Sequence, residues 1–146
     1  MTVGEKLRAG ITTLSAEETR SIARQFAAEL SPDCTLALHG NLGVGKTTFV
    51  QGLAQGIGVA EPVTSPTFNI YTVHRGLNGR TLVHLDAYRL EGPAQVEDLL
   101  LEDFLTPPWW LAVEWPEKIA EWLPANALHL DLGIDAGERH TLRLRG

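Results

Sequence analysis

The sequence predicts an α/β fold of three layers, built on a mixed β-sheet with a parallel centre and antiparallel hairpins at its ends. Three observations support this prediction. An apolar run at 35–39 leads directly into a glycine-rich turn, and an amphipathic helical repeat follows that turn. Two further pairs of strand-like segments are each joined by a short turn sequence. Strand, glycine-rich turn and helix in succession indicate a parallel centre, and the hairpins indicate antiparallel additions.

The first predicted helix starts at a capping box. Ser15-Ala-Glu-Glu18 has the spacing at which a serine hydroxyl and a glutamate cap a first turn. Ile22, Phe26 and Leu30 follow at intervals of four, as in an amphipathic helix. We expect this helix to end at Ser31-Pro32, because the residue before a proline disfavours the helical conformation.

The second predicted helix follows the glycine-rich turn. Its apolar residues recur with helical period at Phe49, Val50, Leu53, Ala54 and Ile57. The glycines at 56 and 58 mark its expected end. Next, strands 68–74 and 81–85 are predicted to form a hairpin, since Asn78-Gly79 tolerates the positive φ of a tight turn.

The rest of the chain continues the alternation. Pro93 is expected to open a helix that runs to Phe104, and 109–113 is an apolar run typical of a buried strand. A second hairpin is predicted between 128–134 and 141–145, across Asp135-Ala-Gly137.

Composition limits the class of protein. The 146 residues fit one domain, 1–146, at about 150 residues per domain. No apolar run approaches the ~20 residues of a membrane span, and MTVGEKLRAG lacks a signal-peptide core. The single cysteine, Cys34, fits a reducing compartment and is interpreted as a core residue rather than a nucleophile. We therefore expect a soluble cytoplasmic protein, whose net charge of -6 counts against broad contact with nucleic-acid backbones.

The glycine-rich turn matches the phosphate-loop pattern Gly-x-x-x-x-Gly-Lys-[Ser/Thr], which makes the expected fold P-loop NTPase-like. Its glycines let backbone N–H groups point at phosphates, and the following helix adds the positive end of its dipole. Lys46 is expected to reach the β- and γ-phosphates, and the Thr47 hydroxyl to bind Mg²⁺. A turn without a ligand is the alternative. The predicted ATP-binding residues here are Gly40, Asn41, Leu42, Gly43, Val44, Gly45, Lys46, Thr47 and Thr48.

Two acidic residues end apolar strands and are candidates for the magnesium–nucleotide chemistry. Asp86 ends TLVHLD and Glu114 ends WWLAVE. We expect one to hold Mg²⁺ and the other to orient the attacking water. For either residue alone, an acid that merely ends a strand is the alternative.

Other polar residues leave two interpretations open. The hydroxyls of Thr64-Ser-Pro-Thr67 are candidates for sensing the γ-phosphate, and a polar turn is the alternative. Arg139 shares one polar face with Thr141, Arg143 and Arg145 at the C-terminal strand, so it is either an edge charge or a nucleotide contact. His84 is interpreted as packing within its strand. The four tryptophans are assigned to the core or a partner surface: Trp109, Trp110, Trp115 and Trp122.

The motifs present and absent indicate which class of nucleotide-binding protein this chain belongs to. A regulatory GTPase needs Asn-Lys-x-Asp and Asp-x-x-Gly segments, and the sequence contains neither. A small metabolite kinase needs an acceptor pocket and usually an arginine-rich lid, for which the chain has little length. ATP hydrolysis without a small acceptor is favoured, with the kinase and a non-catalytic nucleotide-dependent adapter as alternatives.

Four segments in order resemble one family: GNLGVGKTT (40–48), SPTF (65–68), HLDAYRL (84–90) and VEWPEK (113–118). Together they closely resemble TsaE, also called YjeE, the small ATPase of bacterial threonylcarbamoyladenosine synthesis on tRNA. The resemblance covers nearly the whole chain, from the helix after Ser15 to the last strand.

The resemblance implies an ATPase subunit that does not itself transfer the threonylcarbamoyl group to adenosine 37. Similar proteins bind the transferase TsaD and its partner TsaB, so tRNA is expected to be met only through that complex. Because Arg89 is the one arginine in these segments, we expect Mg²⁺-dependent hydrolysis that is slow alone and stimulated by the partners.

Individual roles also follow from the resemblance. Thr47 and Glu114 correspond to Mg²⁺ ligands. Asp86 corresponds to the hydrolytic or switch carboxylate, and the resemblance implies that Asp86 and Lys46 are the catalytic residues. Val44 stands where the family usually has alanine, and we expect its two extra methyl groups to leave the backbone phosphate contacts intact. The implied switch and partner residues are Ser65, Pro66, Thr67, Phe68, Tyr88, Arg89 and Trp115.

Overall fold

A computed structural model of the chain describes residues 1–66 and 70–146. Its strands are, in chain order, β1 (Ile11–Thr13), β2 (Cys34–His39), β3 (Tyr71–Arg75), β4 (Thr81–Asp86), β5 (Trp109–Glu114), β6 (Leu128–Ile134) and β7 (His140–Leu144). Within the described residues they form a seven-stranded sheet of order β1-β7-β6-β2-β5-β4-β3. The four central strands are parallel, and antiparallel pairs complete both ends. The predicted mixed sheet is confirmed.

Helices cover both faces of this sheet. They are α1 (Val3–Ala9), α2 (Ala16–Ala27), α3 (Lys46–Ile57) and α4 (Pro93–Glu97), with 3₁₀ turns at Leu77–Gly79, Leu101–Phe104 and Pro116–Ile119. One core lies between the sheet and the first three helices and contains Leu7, Phe26 and Phe49. A second core lies on the other face and contains Val96 and Leu101. The three predicted layers follow from these two cores.

The start of α2 was predicted correctly and its end was not. The Glu18 N–H donates to the Ser15 hydroxyl at 3.1 Å, as expected for an N-cap. The helix ends at Ala27, before the predicted Ser31-Pro32 boundary. Beyond it, the Glu29 carboxylate accepts the N–H groups of Val3 and Gly4 at 2.7 and 2.9 Å, which caps α1. A tertiary contact to α1 thus accompanies the early end of α2.

The close packing of α2 on α3 explains a glycine inside α3. A Cβ at Gly56 would lie 2.6 Å from the Cβ of Ala27, so a larger residue there would push the helices apart. Gly56 is therefore a packing position inside the helix. The helix ends one residue after it, at Ile57, and Gly58 supplies the left-handed cap with φ 89°.

Both predicted hairpins are present. In the first turn Asn78 and Gly79 have φ of 57° and 76°, the positive values that the sequence predicts. Its first strand begins at Tyr71 within the described residues, and Phe68 lies outside them. The second hairpin pairs Ile134 with His140, one residue earlier than the predicted start of β7.

The helix predicted from Pro93 to Phe104 is wrong as a single element. α4 ends at Glu97, and Leu100 adopts a left-handed conformation with φ 55° before a separate 3₁₀ turn. The break allows both Val96 and Leu101 to be buried against the sheet, at 1% and 0% exposure. Burial of two apolar residues outweighs helical continuity here.

The N-terminal elements α1 and β1 are not predicted by sequence periodicity. β1 has three residues and pairs antiparallel with β7, which extends the sheet at that edge. Cys34 packs against the core, and burial, with the Asp33 charge, raises the pKa of its thiol to about 11. None of the helices in the described ranges has the length and apolarity needed to cross a bilayer.

Candidate nucleotide-binding site

The glycine-rich turn connects the end of β2 to the start of α3. Gly45 caps α3 with a left-handed φ of 98°, which glycine adopts without strain. A Cβ at Gly40 would lie 2.6 Å from the Leu132 carbonyl oxygen and 2.7 Å from Cγ2 of Val44. Gly40 is therefore required by contact with β6. The Val44 side chain is buried.

Lys46 is buried at the first residue of α3, with 4% exposure. Its ammonium donates to the Gly40 carbonyl at 2.7 Å and lies 3.6 Å from the centre of the Trp115 ring. Burial lowers the pKa of Lys46, while the negative charges of Glu114, Glu117 and Asp86 act in the opposite direction. The residue is a positive group held against the mouth of the turn.

Glu114 ends β5 and is almost completely buried, with 5% exposure. The Thr47 hydroxyl donates to its Oε2 at 3.2 Å, and His84 Nε2 lies 2.5 Å from the same oxygen. Burial alone would raise the pKa of Glu114, but the hydrogen bond and charge of His84, the charge of Lys46 and the Thr47 hydroxyl lower it overall. Glu114 is therefore an ionised carboxylate at neutral pH.

Asp86 lies directly beside Glu114, because the two residues are register partners on the parallel strands β4 and β5. Its Oδ1 accepts the Tyr88 N–H at 3.0 Å, and its own N–H donates to the Ile70 carbonyl at 2.7 Å. The turn after β4 and the segment before β3 together fix the backbone of this acid.

These groups line one cleft of about 370 Å³. Its described lining residues are Ala16, Thr19, Leu42, Gly43, Gly45, Lys46, Thr47, Thr48, Ser65, Asp86, Glu114, Trp115 and His140. The structure thus brings most of the predicted phosphate-loop residues together with both predicted carboxylates. Gly40, Asn41 and Val44 belong to the turn but do not line the cleft.

A second cleft of about 440 Å³ adjoins the first, and the two share Leu42, Ser65, Asp86 and Trp115. It collects the described residues of the predicted switch and partner set: Ser65, Pro66, Tyr88, Arg89 and Trp115. The Tyr88 and Trp115 rings contact each other at 5.1 Å between centroids. Thr67 and Phe68 belong to the same predicted set and lie outside the described residues.

Arg139 lies outside the first cleft. Its Nε donates to Asp135 Oδ2 at 3.0 Å, and its side chain is 55% exposed. The next residue, His140, lines the cleft instead and donates from Nδ1 to the Val44 carbonyl at 3.1 Å. A nucleotide contact by Arg139 stays a prediction that would require this ion pair to open.

Sequence reasoning missed four residues at the site. Ala16, Thr19 and His140 reach the cleft from distant parts of the chain, and no local pattern marks them. The interpretation of His84 as packing within its strand misses its hydrogen bond to the carboxylate of Glu114. Its position two residues before Asp86 was the available sign, since alternate residues of a strand share a face.

The donors present fit Mg²⁺. Carboxylate and hydroxyl oxygens are the ligands that this ion prefers, and it usually takes one or two protein carboxylates together with substrate phosphates and water. Thr47 and Glu114 supply such oxygens within 3.2 Å of each other. Residues 1–66 and 70–146 contain no group of three or more His, Cys, Asp and Glu side chains that could hold a metal alone.

Comparison with known proteins agrees with this geometry. Residues 13–141 match the family model described as "Threonylcarbamoyl adenosine biosynthesis protein TsaE". The tRNA threonylcarbamoyladenosine biosynthesis protein TsaE of Streptomyces coelicolor is 42% identical over 121 residues, which is 82% of this chain and 81% of the relative. The protein of the same name from Bacillus subtilis is 40% identical over 118 residues, 81% of this chain and 73% of the relative.

The fold is also shared with a solved structure. The crystal structure of Bacillus subtilis YdiB superposes with a TM-score of 0.76 at 31% identity, covering 92% of this chain and 82% of that one. The fold is P-loop NTPase-like, and it indicates a nucleotide-binding protein. Because the family model matches residues 13–141, which are most of the chain, this chain belongs to the TsaE family.

Proposed function

We propose that this chain binds ATP with Mg²⁺ in the first cleft and hydrolyses it, as the accessory subunit that a TsaD–TsaB complex requires to modify adenosine 37 of tRNA. One observation carries the proposal: Lys46, Thr47, Asp86 and Glu114 meet in a single cleft at the phosphate loop. Family membership supports the pathway, because the relatives are named for threonylcarbamoyladenosine biosynthesis.

Phosphate binding is the task of the turn and of α3. The backbone N–H groups before Lys46 and the positive end of the helix dipole attract the phosphate oxygens. Lys46 adds a full charge that reaches the β- and γ-phosphates. Its present hydrogen bond to the Gly40 carbonyl keeps the ammonium at the mouth of the turn.

The two carboxylates have different tasks. Thr47 and Glu114 would hold Mg²⁺, which when bound neutralises charge on the phosphates. Asp86 is more exposed to the cleft than the buried Glu114 and accepts a hydrogen bond from the Tyr88 N–H. In this proposal Asp86 orients the attacking water and accepts its hydrogen bond.

Hydrolysis by the isolated chain is expected to be slow. An arginine placed against the transition-state charge is worth about 10³–10⁵ in rate, and the described lining of the first cleft contains none. Arg89 lies in the adjoining cleft and is exposed. A partner that orders this region, or adds a positive group to it, would complete the site.

The proposed partners are TsaD-like and TsaB-like subunits in the cytoplasm. A chain with a net charge of -6 offers tRNA little attraction, so tRNA is met through the complex. A metabolite kinase would instead pass the γ-phosphate to a small acceptor, and an adapter would bind ATP without releasing phosphate.

The test is phosphate release by the purified chain alone, with tRNA alone, and with the TsaD–TsaB pair. We expect slow release in the first two conditions and acceleration in the third. Fast release by the chain alone, or stimulation by tRNA without the pair, would contradict partner-gated hydrolysis. Lys46→Ala is the control that separates this activity from a contaminating ATPase.

A further inference from the structure

His84 is a fully buried imidazole beside the carboxylate assigned to the cation. It lies in β4 with 0% exposure, and its Nε2 is 2.5 Å from Glu114 Oε2. His84 pairs in register with Ala112, and Asp86 pairs with Glu114. Because alternate residues share a face, His84 lies on the same side of the sheet as both acids.

The surroundings of His84 are otherwise apolar. Its neighbours on this face of the sheet are Leu82, Trp110 and Ala112, which belong to the core under α2 and α3. No residue in the described parts of the chain bonds the Nδ1 atom of His84. A buried polar atom without a partner costs stability, so an apolar residue would suit the packing better. An apolar residue, however, could not donate a hydrogen bond to Glu114, as the His84 ring does.

The direction of this hydrogen bond follows from the state of Glu114. Nε2 of His84 faces Oε2 of Glu114, and a carboxylate oxygen accepts while a ring N–H donates, so His84 is the donor. The same Oε2 also accepts the Thr47 hydroxyl. Glu114 lines the cleft and His84 does not, so His84 reaches the carboxylate from the core side.

We propose that His84 is a positioning residue, whose Nε2–H donation holds the Glu114 carboxylate in the orientation that binds the divalent cation of the nucleotide. This inference rests on the proposed function of the cleft. Outer partners of metal ligands commonly act in this way, and their loss costs about 10- to 100-fold in metal affinity. His84 touches neither substrate nor cation in this role.

Two substitutions of His84 by amide residues test whether the hydrogen-bond donor must lie at the position of Nε2. His84→Gln places an amide nitrogen as many bonds from Cα as Nε2, whereas His84→Asn places it where Nδ1 lies. The measurement is calorimetric titration of Mg²⁺ into each variant with saturating ADP, repeated for ADP alone in EDTA. We expect the Asn variant to lose about 10- to 100-fold in Mg²⁺ affinity. The Gln variant should stay near the wild type, and ADP binding in EDTA should be unchanged in both.

The matched control is His74→Leu. His74 is also buried, at 6% exposure, and its Nδ1 lies 2.7 Å from the Glu61 carboxylate on the far edge of the sheet. That variant should lower the melting temperature without changing Mg²⁺ affinity. If His84→Asn behaves like this control, or if the Gln and Asn variants lose Mg²⁺ affinity equally, the positioning role is wrong.

A measurement on the wild-type chain keeps the proposal testable if the variants do not fold. The imidazole ¹⁵N shifts of His84 should show a proton on Nε2 both before and after Mg²⁺ and ADP are added, and an Nε2 without a proton would overturn the proposal. If the wild-type affinity for ADP is the same with and without Mg²⁺, the proposed function is contradicted. Failure of the proposed function is therefore distinguishable from failure of the positioning role.

Discussion

The ammonium of Lys46 lies 3.6 Å from the centre of the Trp115 ring while it donates to the Gly40 carbonyl. Trp115 directly follows Glu114 and has a left-handed φ of 56°, an uncommon conformation for a bulky residue. Its ring also contacts Tyr88 in the adjoining cleft. Trp115 therefore joins Lys46 of the glycine-rich turn to the predicted partner surface.

This contact predicts that nucleotide binding changes the fluorescence of Trp115. Phosphate oxygens compete for the Lys46 ammonium, which alters the charge over the indole ring. Titration of Mg²⁺ and ADP should therefore give a saturable change in tryptophan emission. Trp115→Phe should remove the change while Trp122→Phe keeps it. An equal change in the Trp115→Phe variant would show that the signal comes from another tryptophan.

Lys46→Ala is expected to abolish ATP hydrolysis and to weaken triphosphate binding strongly. The substitution removes the charge that bridges the β- and γ-phosphates. Calorimetric titration with ATP in the presence of Mg²⁺ measures the loss. Unchanged affinity would be incompatible with a phosphate-binding loop at this position.

Substitution of Asp86 and substitution of Glu114 are expected to impair different steps, although the two residues are register partners. Asp86→Ala should lose hydrolysis and keep ATP binding, because its proposed task is to orient water. Glu114→Ala should weaken the dependence of binding on Mg²⁺, because its proposed task is metal ligation. Hydrolysis assays and ATP titrations with and without Mg²⁺ distinguish the two. The reverse pattern would exchange the roles.

The ion pair between Arg145 and Asp131 predicts a pH-dependent contribution to stability. Arg145 donates to both Asp131 oxygens at 2.8 Å, and these hydrogen bonds lower the pKa of Asp131. A carboxyl whose folded pKa is lowered stabilises the fold above its unfolded pKa of about 3.9, and that stability is lost as the pH falls through the folded pKa.

Arg145→Ala should therefore cost about 0.2–1 kcal/mol of unfolding free energy at pH 7, as is usual for an exposed pair. The difference from the wild type should shrink below about pH 4. Urea unfolding at pH 7 and pH 3 measures it, with Arg8→Ala, an exposed arginine of α1, as the control. A difference that is the same at both pH values would mean that Asp131 does not depend on Arg145.

Local patterns in the sequence determined the elements at the centre of this protein. The Ser15 cap, the phosphate loop and the Asn78-Gly79 turn each depend on residues adjacent in the chain, so their conformations could be read from the order of residues. The strand-ending positions of Asp86 and Glu114 were visible in the same way.

Only the tertiary structure decided how those pieces meet. The break at Leu100 and the early end of α2 reflect burial and capping by distant segments, which overrides local helical preference. The register that sets Asp86 beside Glu114 arises from pairing between strands far apart in the chain. The same pairing lets His84 reach that carboxylate, and packing of β7 on the loop places His140, rather than Arg139, in the cleft. Such contacts depend on how separate elements pack. The two-residue spacing of His84 and Asp86 indicates only that they share a face of the sheet, and the partner on β5 is decided by strand pairing.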